Sequence, residues 1–362
     1  MRDFVRKFAA GSRTQNALRL LLAGFKQSVN RRRALRLVRK PSARPQPQRV
    51  LVVLNGGIGN AVEATPLVQA IRAHWPDASI DLCTPYEDLF RGWCLISRLT
   101  SRLDLLGKSA WDHTLIPWSS TLSPQESSSG RLGKVHVVPL IGAWFIKPER
   151  EYNLDMIRAL GYRGPTPPLY VSVSDPGAWS PDPGIWVALV PGGQGGAKWK
   201  HKHWPHFDVL LQSLLEYAEQ VNVCILGGSG DPDIARRQGE GRVLDMRGRW
   251  SLSEVAWVLK QMDAAVGNDC GPMHIADAVR VPTVTLFGPT CELKNGPLHG
   301  GTVLTTSIEC RPCQYARTMF TCSDPRCLSE LSPDAVFRAV TGWLPQGDRS
   351  RHHLAPAASA TR

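Results

Sequence analysis

The sequence lacks several features that would assign its class directly. The 362-residue sequence contains no run of about eighteen apolar residues, the length that a helix needs to cross a bilayer. We therefore expect a soluble or membrane-peripheral protein. A secretory signal is not expected, because Arg19 interrupts the only apolar stretch near the start and no small-residue cleavage site comes after it. No repeat with a period of about 20 to 50 residues is present, which disfavours a solenoid.

Acidic residues are almost absent from the start of the chain. Residues 1–49 hold fourteen Lys or Arg against the single acid Asp3, whereas the formal net charge of the whole chain is +12. The positive charge therefore belongs to this segment and not to the fold, and we expect no nucleic-acid partner. Four apolar residues of the segment keep the spacing of one helix face: Leu18, Leu21, Leu22 and Phe25.

A basic amphipathic segment of this kind can lie on an anionic membrane surface. Two other interpretations stay open, a solvated and disordered extension and an organelle transit peptide. The membrane interpretation predicts a peripheral protein held at the surface by its N-terminal tail.

The length of the chain fits two domains of roughly 100 to 200 residues each. The Pro-rich stretch "PSARPQPQR" precedes the first apolar strand, and the Pro/Gly-rich stretch "SDPGAWSPDPG" separates two α/β halves. We expect a basic tail with its linker, an N-terminal domain, a linker, a C-terminal domain and a disordered tail, at residues 1–48, 49–173, 174–184, 185–345 and 346–362.

Apolar runs alternate with helical patterns in both halves of the chain. "VLVVLN" (50–55) is typical of a strand buried on both faces, and a helical pattern extends from Val62 to His74. The alternation restarts with "IWVALVPGG" in the second half. This order predicts an α/β protein with two Rossmann-like domains that face a cleft, where ligands bind outside the carboxyl ends of parallel strands.

The stretch "VGNDCGPMHIADAVRVPTVTLFGPT" (266–290) predicts a strand, a short turn and a helix that begins at Gly271-Pro272. The free backbone N–H groups of such a helix start attract anions, and a glycine lets a phosphate approach closely. The same strand–turn–helix pattern also occurs in folds that bind nothing, so this alternative stays open.

Three further glycine-rich stretches come after predicted strands: "GGIGN" (56–60), "VPGGQGGAKWKHKHWPHF" (190–207) and "GGSGD" (227–231). The first lacks the G-x-G-x-x-G spacing of a dinucleotide site. The lysines of the second can neutralise a diphosphate, and Asp231 of the third can hold ribose hydroxyls. A tight turn, a solvated loop and a helix cap are the respective structural alternatives.

Together these stretches resemble glycosyltransferase family 9, the ADP-heptose heptosyltransferases. The resemblance covers about residues 49–345 and also rests on "KHWP" (202–205), "GGIGNAVEATPLVQAIRAHWPDASI" and the ending "CRPCQ…C…CL…LSPDAVFRAV". It implies the GT-B architecture, an N-terminal acceptor domain, a C-terminal nucleotide-sugar donor domain and transfer without a required metal.

The resemblance also implies roles for particular residues. Lys202 and the amides around Gly271, Met273 and His274 would bind the diphosphate, Asp269 the heptose and Asp231 the adenosine ribose. Cys270 stands where the family usually has Ser or Thr, and a packed, purely structural His274 remains an alternative. The expected donor-binding residues are Gly192, Gly193, Lys202, Asp231, Asp269, Cys270, Gly271, Met273 and His274.

One departure from the family concerns catalysis. The family has a catalytic aspartate directly after the glycine of the first loop, but this chain has Asn60 there, and an amide cannot accept a proton. Glu63 lies one helical turn further on and is our predicted general base, with Asn60 as a positioning residue. The alternatives are a surface glutamate, another carboxylate, a substrate phosphate as base, or a slow enzyme.

The last cysteines form a C-x2-C-x8-C-x4-C pattern at Cys310, Cys313, Cys322 and Cys327. Four thiolates fit a structural zinc or iron site, and unligated or redox-active thiols are the alternative. The other five of the nine cysteines are scattered, and the odd total without a secretion signal favours a reducing compartment.

The sequence therefore predicts an inverting glycosyltransferase that moves heptose or a related sugar from an ADP-heptose-type donor to a lipopolysaccharide or other surface-glycan acceptor. We expect it in the cytoplasm, on the inner face of the inner membrane. A catalytically silent nucleotide-sugar-binding relative and a protein-modifying heptosyltransferase are the alternatives. The acceptor, the sugar, the base and the oligomeric state cannot be predicted from the sequence.

Overall fold

The computed structural model describes two parallel β-sheets with helices packed on them. The described residues are 46–106, 110–138, 147–177, 179–193, 197–234, 241–314 and 321–345. Residues 1–45 of the expected basic extension (1–48) and the expected tail over 346–362 lie outside them. Within the described ranges, no helix has both the length and the apolar character that crossing a bilayer requires.

The first sheet has the strand order β3-β2-β1-β4-β5, and every neighbouring pair is parallel. Its central strand β1 is the predicted apolar run, and its residues from Val50 to Val53 are buried. The strands are β1 Arg49–Val53, β2 Ser79–Cys83, β3 Arg98–Thr100, β4 His113–Ile116 and β5 Lys134–Val137. The helices that accompany them are α1 Ile58–Glu63, α2 Thr65–His74, α3 Pro124–Ser128 and α4 Glu149–Arg158.

The second sheet has the strand order β11-β10-β9-β6-β7-β8 and is also parallel throughout. The chain runs outward from β6 in both directions, so the strand order reverses between β6 and β9. The strands are β6 Ile185–Val190, β7 Val221–Ile225, β8 Val243–Asp245, β9 Ala264–Asn268, β10 Thr283–Phe287 and β11 Gly301–Thr305. The helices are α5 Phe207–Tyr217, α6 Leu252–Lys260, α7 Gly271–Ala278, α8 Glu292–Asn295, α9 Arg326–Ser329 and α10 Pro333–Thr341.

The two sheets confirm the predicted α/β fold class with paired Rossmann-like halves. In an open parallel sheet, the point where the strand order reverses leaves a crevice at the carboxyl ends of the two strands. In the second sheet this crevice lies beyond β6 and β9, where the two glycine-containing loops begin.

The helix that the sequence predicts from Val62 to His74 is two helices, α1 and α2. Pro66 has no N–H to donate to the carbonyl of Val62, and the hydroxyl of Thr65 donates to that carbonyl instead at 2.7 Å. The hydrogen-bond ladder therefore stops at Ala64, which ends α1 and precedes α2. Glu63 becomes the last residue of α1, and its side chain is buried.

Two glycines allow α1 of the first half to pack against α7 of the second. A Cβ at Gly59 would lie 2.5 Å from Cδ2 of His274, and a Cβ at Gly271 would lie 2.7 Å from Cβ of Ile58. Real Cβ atoms do not approach other atoms so closely. The sequence predicts that Gly271 makes room for a phosphate, whereas the structure shows that its missing side chain makes room for Ile58 across the domain interface.

Candidate functional site

One side chain, that of Asn268, connects the two sides of the crevice between β6 and β9. Asn268, the fully buried last residue of β9, donates its amide to the carbonyls of Pro191 at 2.7 Å and Gly192 at 3.1 Å. Its Oδ1 accepts the backbone N–H of Trp204 at 3.0 Å. One amide side chain therefore fixes the loop after β6, at its beginning and at its end, to the end of β9.

Helix α7 begins directly after β9, as the sequence predicts. Cys270 precedes its first turn in an extended conformation and gives no side-chain hydrogen bond to the helix, and Pro272 occupies the first turn. Burial raises the pKa of the Cys270 thiol to about 12, so this side chain stays neutral. The N–H groups of the first turn therefore have no side-chain cap, which is the arrangement that favours an anion.

Asp269 lies at the centre of a cluster of polar side chains. Its Oδ2 is 3.3 Å from Nζ of Lys202 and accepts a hydrogen bond from Nδ2 of Asn295 at 2.9 Å. Its Oδ1 lies 3.6 Å from Nε2 of His274. The structure thus brings the predicted site residue Lys202 to the predicted site residues Asp269 and His274. It also adds Asn295, which the sequence did not single out.

The charges of this cluster stabilise one another. Burial raises the pKa of Asp269, but the charge of Lys202 and the hydrogen bond from His274 outweigh it and hold the pKa well below its usual value. Burial also opposes the charged form of His274, yet its bonds to Asp269 and Glu63 raise its pKa to about 10. His274 is therefore an imidazolium at neutral pH and not a neutral packed histidine.

Glu63 approaches the same histidine from the first half of the chain. Its Oε1 lies 3.3 Å from Nδ1 of His274, and its Oε2 lies 3.1 Å from Nη1 of Arg150. Burial raises its pKa, but the hydrogen bond and charge of His274, with Arg150, lower it overall. The predicted base is therefore a buried, ion-paired carboxylate, which is a poor proton acceptor.

Asn60 faces a second buried carboxylate, Glu149, at the start of α4. Its Nδ2 donates to Oε1 of Glu149 at 2.8 Å, and the hydroxyl of Ser119 donates to the same oxygen at 3.2 Å. Oε2 of Glu149 pairs with Nζ of Lys294 from the second half of the chain at 2.6 Å. The residue that stands in the position of the family's aspartate is thus hydrogen-bonded to a carboxylate 89 residues further along the chain.

The carboxylate of Asp231 packs against glycines of the loops after β6 and β7. It accepts the N–H of Gly228 at 2.7 Å, and a Cβ at Gly192 would clash with its carboxylate. Gly193, the next residue of the loop, lies against the ring of His203. Met273 is buried, and its sulfur would lie 2.9 Å from a Cβ at Gly267 in β9.

The four clustered cysteines do not form a ligand set in the described part of the chain. There, no three His, Cys, Asp or Glu side chains come together around a position that a metal ion can occupy. Burial and the neighbouring thiols raise the pKa of Cys313 to about 12 and that of Cys327 to about 11, so the clustered thiols lie near one another. The zinc or iron site that the sequence predicts at Cys310, Cys313, Cys322 and Cys327 stays a prediction.

Comparison with known proteins shows a likeness between the part of the chain that holds this site and one family. Residues 187–323, which contain the crevice, match the family model of glycosyltransferase family 9 (heptosyltransferase). Lipooligosaccharide heptosyltransferase 2 of Haemophilus influenzae is 26% identical over 130 residues, which are 34% of this chain and 37% of that protein. Over these ranges the chain is similar to glycosyltransferase family 9.

Two solved structures have the same fold over most of the length of this chain. A family 9 glycosyl transferase from Veillonella parvula has a TM-score of 0.66 and 14% identity, and the match covers 84% of this chain and 99% of that one. The ADP-heptose lps heptosyltransferase II of E. coli has a TM-score of 0.62 and 18% identity over 82% and 98% of the two chains. In sequence, the match spans only about a third of the length of the H. influenzae relative.

The residues that the sequence missed all come from outside the glycine loops. Asn268 fixes the loop ends, Asn295 contacts Asp269, and Arg150, Glu149 and Lys294 complete the ion pairs between the two halves. The only local signal at Glu149 and Arg150 is that both residues are charged. That signal is common on solvent-exposed helices, so it could not indicate burial.

Proposed function

We propose that this protein is a glycosyltransferase that moves heptose or a related sugar from an ADP-heptose-type donor to a lipopolysaccharide or other surface-glycan acceptor. The observation that carries the proposal is the convergence of Lys202, Asp269, His274 and the uncapped start of α7 at the crevice between β6 and β9. The names of the relatives support the sugar and the acceptor class. The protein from E. coli is called an ADP-heptose lps heptosyltransferase, and the one from H. influenzae is called a lipooligosaccharide heptosyltransferase.

The charges of the crevice suit a diphosphate. Two carboxylates, Asp269 and Glu63, face three cations, Lys202, Arg150 and the protonated His274, so the group carries a net charge of about one positive unit. An entering diphosphate would pair with Lys202 in place of Asp269. The carboxylate of Asp269 would then accept hydrogen bonds from sugar hydroxyls. In this arrangement Asp231, with the loop glycines Gly192 and Gly193, would hold the ribose end of the nucleotide.

The proposed transfer forms one bond and breaks another. The acceptor hydroxyl oxygen bonds to the anomeric carbon of the donor sugar, and the bond from that carbon to the diphosphate oxygen breaks. The nucleoside diphosphate leaves with the bonding electrons, and the acceptor proton passes to a carboxylate. Attack from the face opposite the leaving group would invert the configuration. Lys202 and the amides of α7 would stabilise the charge that develops on the leaving diphosphate.

Two buried carboxylates compete for the role of base. Both oxygens of Glu63 contact a cation, whereas Glu149 pairs with Lys294 through Oε2 and its Oε1 accepts from the neutral donors Asn60 and Ser119. An acceptor hydroxyl that displaces a neutral donor would reach Oε1 of Glu149 without separating an ion pair. We therefore propose Glu149 as the base, with Asn60 positioning it, in place of the sequence-based choice of Glu63.

The alternatives predict different outcomes with the same reagents. A catalytically silent relative would bind ADP-heptose but release no ADP with any acceptor, and a protein-modifying heptosyltransferase would release ADP only with a polypeptide acceptor. The contact between Asn60 and Glu149 favours an active enzyme, because it supplies the carboxylate that Asn60 itself lacks.

The membrane and cellular location are further proposals. The basic segment over residues 1–48 would hold the protein on the inner face of the inner membrane, beside a lipid-linked acceptor. The segment lies almost entirely outside the described residues, so this proposal rests on the sequence alone.

Release of ADP is the direct test of the proposed function. Purified protein incubated with ADP-heptose and a lipopolysaccharide acceptor that lacks heptose should release ADP and add one heptose to the acceptor, as measured by a coupled assay and mass spectrometry. A Lys202→Met variant serves as the control for contaminating activity. Absence of both products with wild-type protein, at donor concentrations that saturate binding, contradicts the proposal.

A further inference from the structure

His203 is a half-buried imidazole that the donor site described above does not use. The main chain on both sides of it is fixed, because Lys202 pairs with Asp269 and the N–H of Trp204 is bound by Asn268. The indole of Trp204 is itself buried and donates to the carbonyl of Leu331 at 2.9 Å. The ring of His203 therefore projects from a firmly held stretch of chain.

The ring faces the glycine loop after β6. A Cβ at Gly193 would lie 3.3 Å from Nε2 of His203, whereas a Cβ at the preceding Gly192 would clash with the carboxylate of Asp231. His203 and Asp231 thus lie over two consecutive glycines. The charges of both Asp231 and Lys202 act on the ring of His203, so the ring lies near both groups.

Nε2 of His203 is buried, and among the described residues it has no hydrogen-bond partner. Buried polar atoms in native proteins are paired almost without exception, so an unpaired one calls for a water, an ion or a ligand. Burial lowers the pKa of His203, with Lys202 acting in the same direction and Asp231 opposing, and the imidazole is neutral at neutral pH. A neutral imidazole can offer Nε2–H as a donor without adding charge.

We propose that Nε2–H of His203 donates a hydrogen bond to the nucleotide phosphate that is attached to the ribose. This inference rests on the proposed function, in which Asp231 holds the ribose and Lys202 the diphosphate. His203 follows Lys202 directly in the chain and lies over the glycine next to the one that Asp231 covers, so the part of the nucleotide nearest to it would be the first phosphate. His203 then distinguishes a nucleotide from a nucleoside, while Lys202 acts mainly on the second phosphate.

Titration calorimetry with adenosine, AMP and ADP tests this assignment. His203→Phe should weaken AMP and ADP binding by about tenfold to a hundredfold, the worth of one hydrogen bond to a charged group, and leave adenosine binding unchanged. His203→Gln keeps an N–H donor near the position of Nε2 and should retain most of the affinity. His206→Phe is the matched control, because His206 contacts the carbonyl of Ser329 and lies outside the proposed site.

The outcomes separate this inference from the function on which it rests. Equal affinity of wild type and His203→Phe for AMP overturns the inference and leaves the proposed function standing, whereas failure of the wild type to bind any of the three ligands overturns both. If His203→Phe does not fold, the ¹⁵N resonance of the wild-type imidazole decides. It should shift on addition of AMP and not of adenosine, and no shift with AMP overturns the inference.

Discussion

His274 Nδ1 lies 3.3 Å from Oε1 of Glu63, and this contact joins the helix after β1 of the first sheet to the helix after β9 of the second. The opposite ring nitrogen faces Asp269, so a single imidazolium connects a carboxylate of each half. The geometry of the donor side therefore depends on the position of the first sheet. Both helices approach closely enough for this contact because Gly59 and Gly271 have no side chains.

The imidazolium predicts how stability depends on pH. The pKa of His274 is raised from 6.5 to about 10, so its contribution to the free energy of unfolding is complete below about pH 6.5 and is lost as the pH rises toward 10. Glu63 has a lowered pKa, and its contribution is present above its ordinary value of 4.5 and is lost as the pH falls. The difference in unfolding free energy between wild type and His274→Gln should therefore shrink steadily above about pH 6.5 in urea titrations. A difference that stays constant up to pH 10 would mean that His274 is neutral in the folded protein.

The close approach of α1 and α7 predicts the effect of adding one methyl group. Gly59→Ala and Gly271→Ala should each lower the free energy of unfolding by about 1 to 3 kcal/mol, because the new Cβ overlaps His274 or Ile58. Gly230→Ala is the matched control, since a Cβ there meets no atom within 4 Å. Urea unfolding checks all three, and a loss of stability in the control equal to that in the other two would argue against a specific clash.

The two buried carboxylates should behave differently when each is made neutral. Glu149→Gln should lower kcat by about 10²- to 10⁴-fold, the usual worth of a general base, with little change in the affinity for ADP. Glu63→Gln should mainly lower stability, because Arg150 and His274 lose their shared counter-charge. ADP release and urea unfolding, measured on both variants, separate the roles. A large loss of kcat in a well-folded Glu63→Gln variant, with Glu149→Gln near wild type, would restore Glu63 as the base.

The basic segment predicts a salt-sensitive affinity for anionic membranes. Removal of residues 1–40 should abolish sedimentation with vesicles that contain anionic lipid, because it removes most of the net positive charge of the chain. Vesicles of neutral lipid are the control and should bind neither protein. Equal binding of the full and shortened chains would assign the membrane contact to the folded part or exclude it.

Much of the fold was predictable because its signals are local. Buried strands such as β1 and β9 are apolar over most of their length, and the glycine loops after β6 and β9 mark their carboxyl ends. The short strands β3, β8 and β11 were missed, since three to five residues at a sheet edge carry little periodicity. The break between α1 and α2 was missed too, although Pro66 marks it.

The site was predictable where its residues come directly after strands, and not where they meet across the halves. Lys202, Asp269 and His274 were singled out from their loops, and the structure brings them together. The contact between Asn60 and Glu149 joins positions 89 residues apart, and nothing in the local sequence of either residue indicates the other. Such pairs are determined by how the separate elements pack in the folded chain.

The central claim is that the crevice between β6 and β9 binds a nucleoside diphosphate, and a thermal-shift titration tests it most directly. A ligand that binds only the folded state raises the melting temperature in proportion to the logarithm of its concentration above Kd. We predict that ADP raises the melting temperature of the wild type, that UDP and GDP raise it less, and that Lys202→Met removes most of the effect. A wild-type melting temperature that none of the three nucleotides changes would contradict the account.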